Sequence, residues 1–161
     1  MSDWELPWEG GCRCGQVRFR VTRAPLLTSV CHCTGCQRMT GSAFSLSIAI
    51  PSDGFELTLG KPVRGGVQAE NDHRHCPFCK SWLFTRPQAI DFVNVRAPMM
   101  DNSEWIVPYV ETWAGEKLDW VQTPALHRFE SLPELSAWPE ILAEFSREYR
   151  PRPRPSNDSS S

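Results

Sequence analysis

Seven cysteines fall into three tight clusters, Cys12-x-Cys14, Cys31-x-Cys33-x-x-Cys36 and Cys76-x-x-Cys79, and none stands alone. An odd number cannot all pair as disulfides. The start Met1-Ser2-Asp3-Trp4-Glu5 also lacks the basic and apolar regions of an export signal, which points to a cytoplasmic, reducing setting where disulfides are rare. Metal ligation accounts for the clusters better. In a strand, side chains return to one face every second residue, so Cys-x-Cys aims both sulfurs at one point. Cys-x-x-Cys does the same through a tight turn. A tetrahedral zinc ion with thiolates at about 2.3 Å needs sulfurs only ~3.8 Å apart, within reach of both spacings.

Seven ligands divide as four plus three, which implies two zinc ions per chain. Cys12, Cys14, Cys76 and Cys79 would close a structural site that ties the first strand to a segment more than sixty residues later. Cys31, Cys33 and Cys36 would hold the second zinc with one position left for water, substrate or another side chain, and open positions are where zinc does chemistry. Three thiolates leave the ion less negative than four, hence a better Lewis acid. His32, His73, His75 or His127 could instead fill that position and make both sites structural. His32 is the weakest of these, since between Cys31 and Cys33 on a strand it points to the opposite face. An iron–sulfur cluster finds no fourth cysteine once the other four are paired. A disulfide-cycling reductase would need accessible, low-pKa thiols in place of ligands.

The rest of the chain reads as mainly β, in antiparallel meanders. Val17, Phe19 and Val21 alternate with Gln16, Arg18 and Arg20; Phe44, Leu46, Ile48 and Ile50 alternate with small residues up to Pro51; Phe55 to Leu59 is a third run. Further strands are expected at Trp82–Thr85, Ile90–Val95 and Trp105–Trp113, with Pro108 at an edge or bulge because it lacks an N–H. Gly54, Gly60, Pro62 and Gly65-Gly66 supply the reversals. Beyond Ser131, the spacing of Leu135, Trp138, Leu142, Phe145 and Tyr149 is helical. Ser131 and Glu134 fit a capping box, and Pro139 is expected to split the segment into two short pieces. The organisation expected is a zinc domain over 8–133, a helical appendage over 134–149 and an extended Arg/Pro/Ser tail over 150–161.

Nineteen acidic against seventeen basic side chains, a formal charge of −2, give no cationic excess for a phosphate backbone, so no nucleic-acid partner is expected. No run of residues is apolar enough for a membrane span. The seven tryptophans and eight phenylalanines then belong to core and lid, not to a base-stacking surface.

The strings Gly10-Gly11-Cys12-Arg13-Cys14-Gly15 with Val17 and Phe19, Cys31-His32-Cys33-Thr34-Gly35-Cys36-Gln37-Arg38 with Gly41 and Ser42, and Arg74-His75-Cys76-Pro77-Phe78-Cys79 resemble the glutathione-dependent formaldehyde-activating enzyme family, whose domain is shared with centromere protein V. Trp113, Leu118-Asp119-Trp120 and Phe129 also look like that family's closing segment, so the resemblance runs from about Trp8 to Pro133. It implies stacked small antiparallel sheets of the β-tent, Mss4-like type stapled by zinc, with the same four-plus-three division of thiolates. It also implies a carbon–sulfur lyase that condenses glutathione, or a related thiol, with formaldehyde or another small aldehyde. The chain departs from the pattern at Lys80, where the family usually has glycine, and at His75, where it usually has an aromatic residue.

If that activity holds, Arg38 is the cation placed to meet a carboxylate of the thiol substrate, since guanidinium binds carboxylates through paired hydrogen bonds. Thr40, Gly41 and Ser42 could offer hydroxyl and backbone donors beside it, or form an ordinary turn. Arg13, on the far face of its Cys-x-Cys, is expected to be exposed. The competing reading is a zinc-stabilised interaction module without catalysis, as would follow if a histidine closed the second site.

Overall fold

The structure, a computed structural model, describes residues 4–67 and 71–150. The expected tail therefore lies, apart from Arg150, outside the described residues. In chain order the elements are β1 (Trp8–Gly11), β2 (Arg18–Val21), β3 (Leu27–Cys31), α1 (Thr34–Thr40), β4 (Ser45–Pro51), β5 (Phe55–Leu59), β6 (Val63–Gly65), β7 (Asn71–His75), β8 (Trp82–Pro87), β9 (Phe92–Arg96), β10 (Val110–Thr112), β11 (His127–Arg128) and α2 (Trp138–Glu148). The chain is mainly β, as the alternation implies. Among the described residues no helix is long and apolar enough to cross a membrane.

The strands form a three-stranded sheet, β1-β2-β5, and an eight-stranded sheet, β11-β10-β3-β4-β9-β8-β7-β6. Most pairs are antiparallel, but β10 runs parallel to both β3 and β11, so the larger sheet is mixed. The strand expected over Trp105–Trp113 shrinks to Val110–Thr112, beginning after Pro108 and thus avoiding a missing ladder donor.

The larger sheet has two chemically different faces. Paired registers place Val30, Leu46, Ile48, Val95 and Phe84 on one side, where all but Val30 share one cluster with Phe19, Val21 and Phe55 of the small sheet. The Phe55 and Phe84 rings are 4.8 Å apart. The same registers put Thr112, Cys31, Ser45, Ser47, Arg96, Thr85 and His73 on the opposite side. Five of these polar groups (Thr112, Ser45, Ser47, Arg96 and Thr85) are themselves buried. This buried polar face underlies the site described below.

The C-terminal segment packs into the core. A 3-10 turn at Leu135–Ala137 leads into α2, with Pro139 in its first turn. Pro139 therefore does not break the helix: its absent N–H falls where no intrahelical bond would form. Ile141, Phe145 and Tyr149 are buried, and Trp4, Trp8, Trp105 and Tyr109 surround them in one aromatic cluster. Trp120 and Phe78, 76% and 71% exposed, depart from the core placement expected of the aromatic residues. Polar contacts hold α2 as well: the Tyr109 hydroxyl donates to the Glu144 carboxylate, and His127 Nε2 lies 3.1 Å from it.

Candidate metal centres

The two cysteine groups are assembled by different means. Cys12 and Cys14 stand in the turn after β1, and Cys76 and Cys79 in the turn between β7 and β8; the four sulfurs lie within 4.8 Å of one another. Cys12 Sγ is 3.5 Å from Cys14 Sγ, which is 3.7 Å from Cys76 Sγ. These separations match the edge of a thiolate tetrahedron about a zinc-sized ion. The turns are built to present sulfur: Cys12 Sγ accepts the Val17 N–H at 3.3 Å, and Ser81 Oγ, 3.2 Å from Cys79 Sγ, also accepts the Arg13 N–H. Lys80 closes the second turn with its N–H to the Cys76 carbonyl and a left-handed φ of 61°. The exposure expected of Arg13 is what the structure has.

Crowding perturbs these thiols. The Ser81 hydroxyl holds Cys79 down to about 5. A Gln16 N–H favours the Cys14 thiolate, yet desolvation and the neighbouring sulfurs push that thiol up to about 11. Thiols this close cannot all ionise unless a cation sits among them. The donor set therefore fits a soft-tolerant divalent ion, and all seven cysteines are free.

The second group comes from one short stretch. Cys31 ends β3, and Cys33 is the N-cap of α1, accepting the Cys36 N–H on its sulfur at 3.3 Å. One helical turn then returns Cys36, so the three sulfurs also lie within 4.8 Å of one another. The Cys31 thiol, hydrogen-bonded to Cys36 and desolvated, is pushed far up, while the same bond holds Cys36 low. Gln37 fixes the turn by donating to the carbonyls of His32 and Glu116 at 2.7 and 3.0 Å. Among the described residues no fourth donor joins this group.

The four histidines are occupied elsewhere. His32 is fully buried, its Nε2 2.8 Å from Glu111 Oε1, on the side away from the sulfurs as its place between two ligands implies. His73 Nδ1 lies 2.8 Å from Thr85 Oγ1, His75 stacks on Trp82 at 6.2 Å, and His127 meets Glu144. Burial holds both His73 and His75 toward the neutral form.

Arg38 is exposed on the last turn of α1. Thr40, Gly41 and Ser42 close that helix: Thr40 Oγ1 donates to the Cys36 carbonyl at 2.8 Å, Gly41 takes φ 63°, and Ser42 N–H reaches Gln37 O at 3.3 Å. The side chain that sequence reasoning missed is Arg96. It is 6% exposed, its guanidinium carbon sits 4.0 Å above the Trp82 ring, and it shares the polar sheet face with Cys31. Burial pulls it down to about 10, opposed by the negative charge of Cys36, Cys31 and Cys33. The only signal available was a charged residue closing an apolar strand.

Comparisons with known proteins bear on what such centres serve. The family model for glutathione-dependent formaldehyde-activating enzyme matches residues 7–116. A Halomonas elongata protein provisionally named as a glutathione-dependent formaldehyde-activating enzyme is 28% identical over 125 residues, covering 71% of this chain and 79% of its own. A crystal structure of a Rhodobacter sphaeroides protein superposes with a TM-score of 0.47 at 16% identity, over 58% of this chain and 88% of that one.

Proposed function

The chain belongs to the glutathione-dependent formaldehyde-activating enzyme family, and from that premise we propose that it joins a small thiol, glutathione in the first instance, to formaldehyde or a related aldehyde. The product is an S-hydroxyalkyl adduct, and the reverse reaction is a carbon–sulfur lyase step. One observation carries the reading: Cys31, Cys33 and Cys36 converge as three sulfurs, whereas Cys12, Cys14, Cys76 and Cys79 converge as four.

In this reading each group holds one zinc ion, the four-cysteine group for structure and the three-cysteine group for catalysis. Bound by three thiolates, the ion supplies Lewis acidity, favouring thiolate over thiol and drawing charge from a carbonyl oxygen. The chain's own residues do the rest. Cys33, anchored at the start of α1, and Cys36, one turn on, fix the geometry of the centre. Gln37 and Thr34, which donates to Glu116 at 3.2 Å, brace α1 against the segment after β10. Arg38, free of any ion pair among the described residues, is available to a carboxylate of the thiol substrate at the rim. Thr40, Gly41 and Ser42 shape that rim through the helix cap. The cysteines require a reducing compartment, consistent with a cytoplasmic location.

The test is metal analysis joined to product detection. Two zinc ions per chain are expected, one of them exchanging when glutathione is added, with the S-hydroxymethyl adduct formed from labelled formaldehyde faster than without protein. Two inert ions and no acceleration would leave a zinc-stabilised interaction module instead.

A further inference from the structure

Arg96 is the least explained charge in the molecule. It is 6% exposed and, among the described residues, faces no carboxylate. Its Nε has no hydrogen-bond partner, and Nη2 reaches only Thr85 Oγ1 at 3.5 Å and the Asn94 carbonyl at 3.4 Å. The Trp82 ring and the negative charge of the three cysteines compensate this buried cation, but its Nε is still a donor without an acceptor, which a small anion would satisfy.

Geometry says where that anion sits. Arg96 pairs with Ser47 on β4, Ser45 two residues earlier pairs with Cys31, and alternation puts all four side chains on one face. The Trp82 ring lies under the guanidinium, and Trp82 Nε1 and His73 both bond Thr85 Oγ1, which fixes the head group from below. Beside His73 the packing is close: a Cβ on Gly66 would lie 2.8 Å from the His73 ring and 3.2 Å from Met39 of α1. The charge of all three cysteines reaches Arg96, whereas Arg38 stands exposed on the outer turn of α1. The arrangement is a buried donor, unpartnered at Nε, on the sheet face that also carries Cys31.

We infer that Arg96 is a catalytic residue that receives the oxygen on which negative charge develops during addition to the aldehyde. This rests on the thiol–aldehyde reading above. In the step, a sulfur lone pair of the thiolate forms the S–C bond, and the carbonyl π pair moves onto oxygen. The thiol proton has already passed to solvent, and the oxygen held by Arg96 then takes a proton from water to become the hydroxyl. No oxidant or reductant is involved. In reverse, the same guanidinium stabilises the alkoxide from which thiolate departs.

The experiment compares the zinc-loaded protein with Arg96→Met and Arg96→Lys, using formate as the probe anion. Methionine matches the buried stem and removes an unpaired charge, so Arg96→Met is expected to fold and keep its zinc. Its kcat/KM for formaldehyde is expected to fall about 100-fold with the thiol KM unchanged, the usual effect of losing one oxyanion donor. Formate affinity, measured calorimetrically, is expected to weaken at least about 10-fold, and in Arg96→Lys about 3-fold, since ammonium lacks the planar fork. Unchanged kcat/KM and formate affinity in Arg96→Met would overturn the assignment. Should that variant not fold, unchanged formate affinity in Arg96→Lys would do so. A wild-type protein without thiol–aldehyde turnover that still binds formate through Arg96 would sink the proposed reaction and the catalytic role, and keep the anion site.

Discussion

Lys80 and Cys33 show how single residues set the two centres. A lysine at φ 61° pays the steric cost that glycine avoids, and its Nζ donates back to the Pro77 carbonyl within the same turn. Lys80→Gly is therefore expected to stabilise the zinc-loaded protein by about 1 kcal/mol, read as a raised Tm in thermal melts. The position was marked in the sequence by the glycine usual there in the resembling family; the lysine tether was not legible, because it depends on a folded carbonyl. Cys33→Ser should remove one equivalent of zinc and abolish thiol-dependent turnover, with far-UV circular dichroism unchanged. Arg96 was invisible for a different reason. The apolar alternation of its strand stops at Val95, and nothing in a linear pattern tells whether the next charge turns inward.

At the level of elements, alternation found β2, β4, β5, β8 and β9 because each has one face on the apolar core. It missed β7, Asn-Asp-His-Arg-His, whose residues are all partly exposed and whose order comes from neighbours on both sides. It missed α1 too. Seven residues with no buried member carry no periodic signal, and the helix exists because Cys33 caps it and Gln37 pins it. For α2 the helical spacing was sound, but the capping box at Ser131 was not the start; packing of Ile141 and Phe145 sets the helix later. Its Glu144 ionises more readily than a free carboxyl because the Tyr109 hydroxyl and then His127 favour the charged form. The stabilisation is complete above the ordinary value of 4.5 and fades as pH falls through the depressed one. Acid titration followed by tryptophan fluorescence should show this loss in the wild type, and Glu144→Gln should show less of it.

For the whole molecule, the four-cysteine group matters most. It joins the turn after β1 to the turn between β7 and β8, so removing a ligand is a global event. Cys76→Ser is expected to leave the chain largely unfolded at neutral pH by circular dichroism, in contrast to Cys33→Ser, because binding energy at that group is folding energy. The cysteine clusters made this division readable from the sequence, but not by the strand alternation expected of Cys12-x-Cys14: β1 ends at Gly11, and a turn, not a strand, brings those two sulfurs together. The parallel run of β10 was not readable, as it requires knowing which distant strand offers a free edge.

That junction also has a mechanical side. Cys14 and Cys76 are 62 positions apart, so a zinc ion bound between them would shield the intervening loop from tension applied at the chain ends. Stretched in an optical trap, the loaded protein should yield in two rips. The later one, absent after chelation, should release roughly 200 Å of contour at 3.3–3.6 Å per residue.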